Sequence, residues 1–534
     1  MAAIFGAEIM INSTHDYIII GAGSAGCVLA NRLTEDSNVK VLLLEAGGPD
    51  KKQEIQIPAA FPKLFKTECD WAYETEELDH MNRRRMFWPR GRVLGGSSSI
   101  NAMVYSRANR SDHDRFGELG LKGWRYDDIL PYYKKSENNE RGASEFHGVG
   151  GELNVADLRL INPLTHRFIE AAQDSGLKYN KDLNGASQEG VGYLQVTQKN
   201  GRRHSAAAAF LKPVLSRPNL AVKTGAHVTR LLYDGNKVVG VEYVQDAKTE
   251  QARVNREVIL SGGTINSPQT LMLSGVGPAD HLRAMDIPIV ADLPGVGQNL
   301  QDHLLIGVEY ECREPVGLHK ADSLKNILNF LLFKKGPLTS NVGEAAAFLK
   351  INSSQPAPNI ELIFAPVFYM DNGFKNPDLH GFSIGIALQK PESRGHIKLK
   401  SKDPFVAPSI QPNYLASESD LAACVESVKL AREIFGSKQF NRFRGKEWWP
   451  GEAAKTDDDF AEHIRRTAET LYHPVGTCKI GNDAMAVVDD RLRVRGVEGL
   501  RVVDASVIPL QITGHTNAPT IAIAEKAADL IRAK

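Results

Sequence analysis

The chain has 534 residues, too many for one ordinary hydrophobic core, so two domains are expected. Its 64 Lys and Arg balance 64 Asp and Glu, which leaves no global basic field to gather nucleic acid. No apolar run reaches the ~18 residues of a membrane span, and the five cysteines lack metal-like spacing and read as reduced thiols.

In chain order, residues 1–14 lack the basic start and cleavage pattern of an export signal. The expected location is therefore cytoplasmic, with a peripheral contact at the inner face of the membrane left open. Asp16 to Ile20 is a β-branched stretch of buried-strand type. GAGSAG follows at Gly21 to Gly26, then an apolar-periodic helix over Cys27–Leu33 and a second strand over Val39–Leu44 that ends in Glu45. Gly21 permits a tight turn, Gly23 lets backbone approach a pyrophosphate, and Gly26 lets helix and strand pack closely. The helix N-terminus offers free N–H groups and partial positive charge to phosphates, and Glu45 is placed to accept from ribose hydroxyls. This pattern predicts a dinucleotide site without distinguishing FAD from NAD.

Gly91 to Asn101 reads GRVLGGSSSIN. Its paired Gly95 and Gly96 break regular structure and suit backbone lying flat against a planar or anionic ligand. Val228–Leu232 and Val238–Val244 flank Asp234-Gly235-Asn236 as a hairpin. Glu257–Ser261 reads as a strand entering Gly262-Gly263 and a helix through Leu273. Gly381–Gln389 and Gly395–Lys400 read as antiparallel strands, with a helix over Leu421–Phe435 on their outer face. Leu500–Asp504 is a last buried-type strand, and Pro519 opens a terminal helix over Thr520–Ile531. The expected architecture is α/β: a Rossmann-like dinucleotide-binding domain assembled from 1–155, 203–305 and 461–534. An α+β substrate domain on an antiparallel sheet, 156–202 and 306–460, is inserted into it, with a pocket at the boundary.

Five segments together, GAGSAG with Glu45-Ala46, GRVLGGSSSIN, GGTINSPQTLMLSGVG at Gly262–Gly277, YHPVGTC at Tyr472–Cys478 and VVDASVIP at Val502–Pro509, carry a resemblance. The chain resembles the glucose-methanol-choline (GMC) oxidoreductases, flavoenzymes that oxidise alcohols, from Asp16 to Lys534. Thr270 departs from the aliphatic residue usual in the second signature. The resemblance implies bound FAD, with Ser24 and Ala25 at the pyrophosphate, Glu45 and Ala46 at the adenosine, and the Val228 backbone at the adenine. It sets Asn101, Ala102, Met103 and Val104 beside the flavin ring, Asp504 and Ala505 at the ribityl chain or phosphates, and Trp71 as a further contact. Asn517 and Ala518 would begin the terminal helix with its N-terminus toward the flavin. Ile100 stands where some members carry a flavin-linking histidine, which implies noncovalent FAD.

Catalysis needs an acceptor for the hydroxyl proton, and histidine is suited by a pKa near neutrality. His473 occupies the family's catalytic position, after a helix capped at Thr456-Asp457-Asp458-Asp459 and before Pro474, which forces it out of helical geometry. His515 fills the second position; the alternative is that Asn517 makes the hydrogen bond and His515 only packs. Cys478 reads as a packing residue, and His303 as one that fixes the loop Pro294–Gly297. The implied reaction is oxidation of a primary alcohol to the aldehyde, with hydride passing to flavin N5. The electron acceptor is a quinone, another carrier or oxygen. Phe364 to Tyr369 would suit an apolar or aromatic alcohol or serve as core. A choline reading rests on Glu344 as the acid for a trimethylammonium group, weakened by Val342-Gly343 in place of aromatics. Lyase chemistry on the same fold is a third reading.

Overall fold

The computed structural model describes residues 11–533 apart from Gln355 and Asn376; residues 1–10, part of the segment read for an export signal, and Lys534 lie outside the described residues. Two seven-stranded sheets organise the chain. In the first, the order is Leu220–Thr224, Val41–Glu45, Ile11–Ile20, Lys248–Leu260, Lys237–Gln245 and His227–Asp234, with Leu500–Val502 also paired to Lys248–Leu260. Five of these strands run parallel, and the predicted hairpin closes one side antiparallel. Ile18–Ile20, Val41–Leu44 and Val258–Leu260 are buried, as expected of parallel strands covered on both faces. Pieces as distant as residues 11 and 502 thus share one Rossmann-like sheet.

Helix Ser24–Leu33 packs against the terminal helix Asn517–Arg532. Arg32 joins them: its guanidinium donates to Glu525 at 2.7 and 2.8 Å and to Glu152 at 2.6 Å, inside the protein. Charge-assisted, two-pronged contacts of this kind fix one orientation of the two helices. The terminal helix starts at Asn517, two residues before Pro519. A proline in the first turn lacks only an N–H that has no helical partner there.

The second sheet is antiparallel, in the order Arg444–Trp449, Leu304–Cys312, Gly381–Leu388, Ile360–Ala365, Ala345–Leu349 and Gly190–Tyr193, with Glu469–Thr470 added beside Leu304–Cys312. Helices Pro163–Asp174 and Glu418–Gly436 back it. Phe168 stacks on Phe364 at 5.0 Å, and Phe382 meets Phe435 at 4.9 Å and Phe440 at 5.1 Å, an aromatic core on one face. One expected pairing differs. His396–Lys398 pairs with Ser409–Gln411 in a separate ribbon rather than with Gly381–Leu388. Gly395 brings that ribbon to Leu300, in a spot where a Cβ would lie 2.0 Å from the Gln411 carbonyl oxygen.

Candidate active site

A cavity of about 330 Å³ lies where the carboxyl ends of the parallel strands meet the open face of the second sheet, the place open α/β sheets offer to ligands. Ile20, Leu44, Glu45, Ser261 and Asp504 come from the first sheet's strand ends. Leu305, Gly307 and Glu309, with Ile363 and Ala365, and Ser383 and Gly385, come from the second. These pairs and triples are two residues apart because strand side chains alternate. Their neighbours Phe364, Phe382 and Tyr310 face the aromatic core.

Gly21, Gly23, Ser24, Ala25, Glu45, Ala46, Trp71, Gly96, Asn101, Ala102, Met103, Val104, Val228, Asp504, Ala505 and Asn517 all line this cavity, as do His473 and His515. Gly26, Gly95 and Ala518 lie behind the wall. A Cβ on Gly26 would sit 1.9 Å from the Gly21 carbonyl oxygen, and Gly95 takes φ +91°, the left-handed region open to glycine. Gly96, at φ +53°, passes so near Gly23 that a Cβ would lie 2.7 Å from its Cα.

Glu45 accepts from the Ala22 and Gly47 N–H groups at 2.8 Å each, and burial raises its pKa to about 7. A carboxylate has further lone pairs for ribose hydroxyls. Trp71 stacks on Tyr73 at 5.7 Å. Asp504 lines the cavity with its carboxylate also bonded inside the protein: one oxygen accepts from Gly263 N at 2.9 Å and Ser267 Oγ at 2.6 Å, the other from Ser506 N at 2.8 Å. Its carboxylate latches the loop at 504 to helix Gly263–Leu273. Asn101 Oδ1 accepts from Met103 N and Arg203, and Met103 is held at φ +58°. Ser24 Oγ donates to Asn517 Oδ1 at 2.7 Å, tying the first helix start to the last.

Helices Ser24–Leu33, Gly263–Leu273 and Asn517–Arg532 begin at this cavity, and none is capped by the side chain of its own N-cap residue, although Asp504 takes the Gly263 N–H. Three helix N-termini aim N–H groups and partial positive charge at one space. Ser261 Oγ and Asn341 Oδ1, on residues of the same wall, are buried without a hydrogen-bond partner. These donors and orphaned polar atoms fit an anionic, planar dinucleotide such as FAD. Ile100 is buried against Phe61, Phe65 and Val93; it has no nucleophile with which to attach a flavin.

Three histidines form a cluster. His303 Nδ1 and His473 Nδ1 are 3.0 Å apart, His303 Nε2 is 3.0 Å from the Ile512 carbonyl oxygen, and the His473 and His515 rings lie 4.7 Å apart. A carbonyl only accepts, so His303 Nε2 carries its proton and its Nδ1 is the acceptor. His473 Nδ1 is therefore the donor, which leaves the His473 Nε2 lone pair free. Burial, with the neighbouring His515 and His303, holds the His473 pKa well below its usual value; burial brings His303 to about 3. His473 is unprotonated at neutral pH. Its backbone is fixed by Asp302, which accepts from His473 N at 2.7 Å. His515 Nε2 is 3.0 Å from Glu361 Oε1, and Gln389 donates to the other Glu361 oxygen at 2.9 Å.

Sequence profiles of the GMC oxidoreductases match residues 15–305 and 391–524. The chain belongs to the GMC oxidoreductase family. It is 45% identical to the alcohol dehydrogenase [acceptor] of Pseudomonas putida over 97% of this chain and 95% of that one. It is 46% identical to the oxygen-dependent choline dehydrogenase of Burkholderia multivorans over 98% and 94%. Pyridoxine 4-oxidase from Mesorbium loti superposes with a TM-score of 0.89 at 33% identity, over 96% of this chain and 98% of that one. As a GMC oxidoreductase the chain is an FAD-dependent enzyme of CH–OH donors.

Several expected placements change. Glu344 does not reach the cavity: it is buried and accepts from Asn162 N, Thr165 Oγ1 and Ser340 Oγ at 2.6–2.8 Å. On the second-sheet side of the cavity the wall acids are Glu309 and Glu469, whose pKa values burial raises to about 8 and about 7. Glu309 Oε1 has no partner, and Trp449 and Tyr369 line the wall as well. Of Phe364 to Tyr369, only Ala365 and Tyr369 line the cavity, because strand alternation turns Phe364 into the core. His303 does not merely fix a loop; it hydrogen-bonds His473. Cys478 is fully buried, and burial drives its thiol pKa well up, which suits packing. Glu309, two residues from Gly307 and on the same side of the strand Leu304–Cys312, was the sequence signal for an acid in the wall.

Proposed function

We propose that the enzyme oxidises a primary alcohol to the aldehyde with noncovalently held FAD, and that His473 Nε2 takes the hydroxyl proton. The observation that carries this is the hydrogen-bond chain Ile512 carbonyl, His303, His473, which presents an unprotonated imidazole nitrogen in the cavity wall. His515, steadied by Glu361, orients the substrate oxygen and stabilises its growing negative charge. Bound FAD supplies the hydride acceptor. The uncapped helix start at Asn517 favours negative charge on a ligand next to it. Phe61, Phe65, Leu305, Ile363 and Ala365 give the wall an apolar side that suits an aliphatic or aromatic alcohol.

A second reading, a choline-like or other cationic alcohol, is favoured by the buried, unpartnered Glu309 oxygen beside Trp449. The acceptor is a quinone, another carrier or oxygen, and the location proposed is cytoplasmic. Anaerobic addition of 1-alkanols should bleach the visible flavin band, faster along a series of increasing chain length, whereas choline leaves it unchanged. Bleaching by choline alone would select the second reading, and no bleaching by any alcohol would reject both in favour of non-redox chemistry. His473→Ala should keep FAD and lose roughly 10²–10⁴-fold in the reductive rate; an undiminished rate overturns its role.

A further inference from the structure

Helix Leu324–Phe333, LKNILNFLLF, turns its apolar side outward. Leu324, Leu328, Leu331 and Leu332 follow an i, i+4, i+7, i+8 spacing, which is one helical face, and they are 73, 48, 51 and 70% exposed. Phe333, at the helix end, is 64% exposed. Toward the protein the helix presents Phe330, its one buried residue, with Asn326 and Asn329 half-buried beside it. A water-facing helix ordinarily shows the reverse pattern, and a contiguous exposed apolar face marks a contact surface.

The charges around this face are mostly positive. Lys320, Lys325, Lys334 and Lys335 surround it; Lys320 is paired with Asp378 at 3.0 Å, Lys334 Nζ donates to the Phe330 carbonyl at 3.0 Å, and the single acid between residues 318 and 336, Asp322, is paired with Lys63 at 3.0 Å. We propose that this helix docks on a bilayer surface containing anionic lipid, its leucines in the acyl boundary and its lysines at the phosphates. A second copy of the chain fits poorly, because a two-fold contact through this face would set the lysines of one copy against those of the other.

The helix runs into Pro337–Thr339, which packs on Pro58–Leu64. Phe61 from one segment and Asn341, Val342 and Gly343 just after the other line the cavity. Docking would therefore set this side of the cavity against the bilayer, where apolar alcohols and lipid-dissolved acceptors concentrate. The surface goes beyond the proposed reaction, and its test needs no turnover.

FAD-loaded, full-length protein would be sedimented with phosphatidylcholine vesicles, with and without phosphatidylglycerol. Wild type should pellet with the anionic vesicles and less so at high salt, as screening predicts. The double variant Leu328→Glu/Leu332→Glu should stay in the supernatant, about tenfold less bound. Its melting temperature and its turnover of a water-soluble alcohol should be nearly unchanged, because the altered side chains are 48 and 70% exposed and belong to no buried core cluster. Lys334→Glu/Lys335→Glu should bind anionic vesicles no better than neutral ones. Wild type that never pellets, or pellets equally in the leucine variant, overturns the proposal. A wild-type dimer that the leucine variant splits also overturns it, by assigning the face to a second copy.

Discussion

At the scale of single residues, the proposed proton transfer depends on the proton arrangement His303 imposes on His473. Replacing His303 by Ala removes the acceptor at His473 Nδ1, so the ring is free to place its proton on either nitrogen and part of the population loses the free Nε2 lone pair. The same change removes a neighbour that disfavours imidazolium and admits water, so the His473 pKa should rise toward its usual value. The expected result for His303→Ala is FAD retained, a slower reductive rate, and an acid limb of kcat/KM shifted to higher pH than in wild type. An unshifted limb would reduce His303 to packing. Glu309 gives a second test. Its folded pKa, about 8, lies above the ordinary 4.5, so the folded chain keeps a proton that the unfolded chain loses. The stability this group contributes is present below pH ~4.5 and is lost as pH rises through ~8. Glu309→Gln cannot ionise, so its stability relative to wild type should grow between about pH 5 and 8, on the order of 1–3 kcal/mol. Denaturant melts at the two pH values would show it; a difference independent of pH would mean Glu309 is ionised in the folded protein.

Among the elements, the strand–turn–helix at 11–33 leaves the least room for change. Gly26 faces the Gly21 carbonyl with no space for a methyl group, so Gly26→Ala must push helix Ser24–Leu33 off its strand. The expected outcome is loss of FAD together with a lower melting temperature, measured as flavin absorbance per protein and by thermal melt. A holoenzyme of normal colour and stability would contradict the packing described here. The order of this element was legible because each part has its own local cause: β-branched residues, glycines where backbone is crowded, and an apolar-periodic helix; its extent was not, since the strand begins at Ile11 and the helix at Ser24, ahead of the Asp16 and Cys27 starts read from sequence. The ribbon at 396–411 was less legible. Its strand was visible in the residues, but its partner depends on Gly395 meeting Leu300 and Gln411, an approach that no local pattern encodes.

For the whole molecule, the cavity is walled by two sheets, so ligand binding and folding are linked. Acid precipitation should release the flavin into the supernatant, since Ile100 offers no attachment. Added FAD should raise the melting temperature of the apoprotein with concentration, because a ligand that binds only the folded state stabilises it by RT ln(1 + [L]/Kd). A flavin that stays with the precipitate would show a covalent link. The sequence by itself determined the dinucleotide turn, the discontinuous Rossmann-like sheet and the family, and it singled out His473 and His515, which both line the cavity, because these reside in short segments whose backbone chemistry is local. Only the tertiary structure decided that His303 and Glu361 support those histidines, that Glu309 rather than Glu344 faces the cavity, and that Phe364 is core while Ala365 is wall. Those outcomes depend on which side of a strand a residue occupies and on contacts between positions more than 150 apart. Side-chain alternation fixes the first only once the sheet's partners are known, and long-range packing fixes the second.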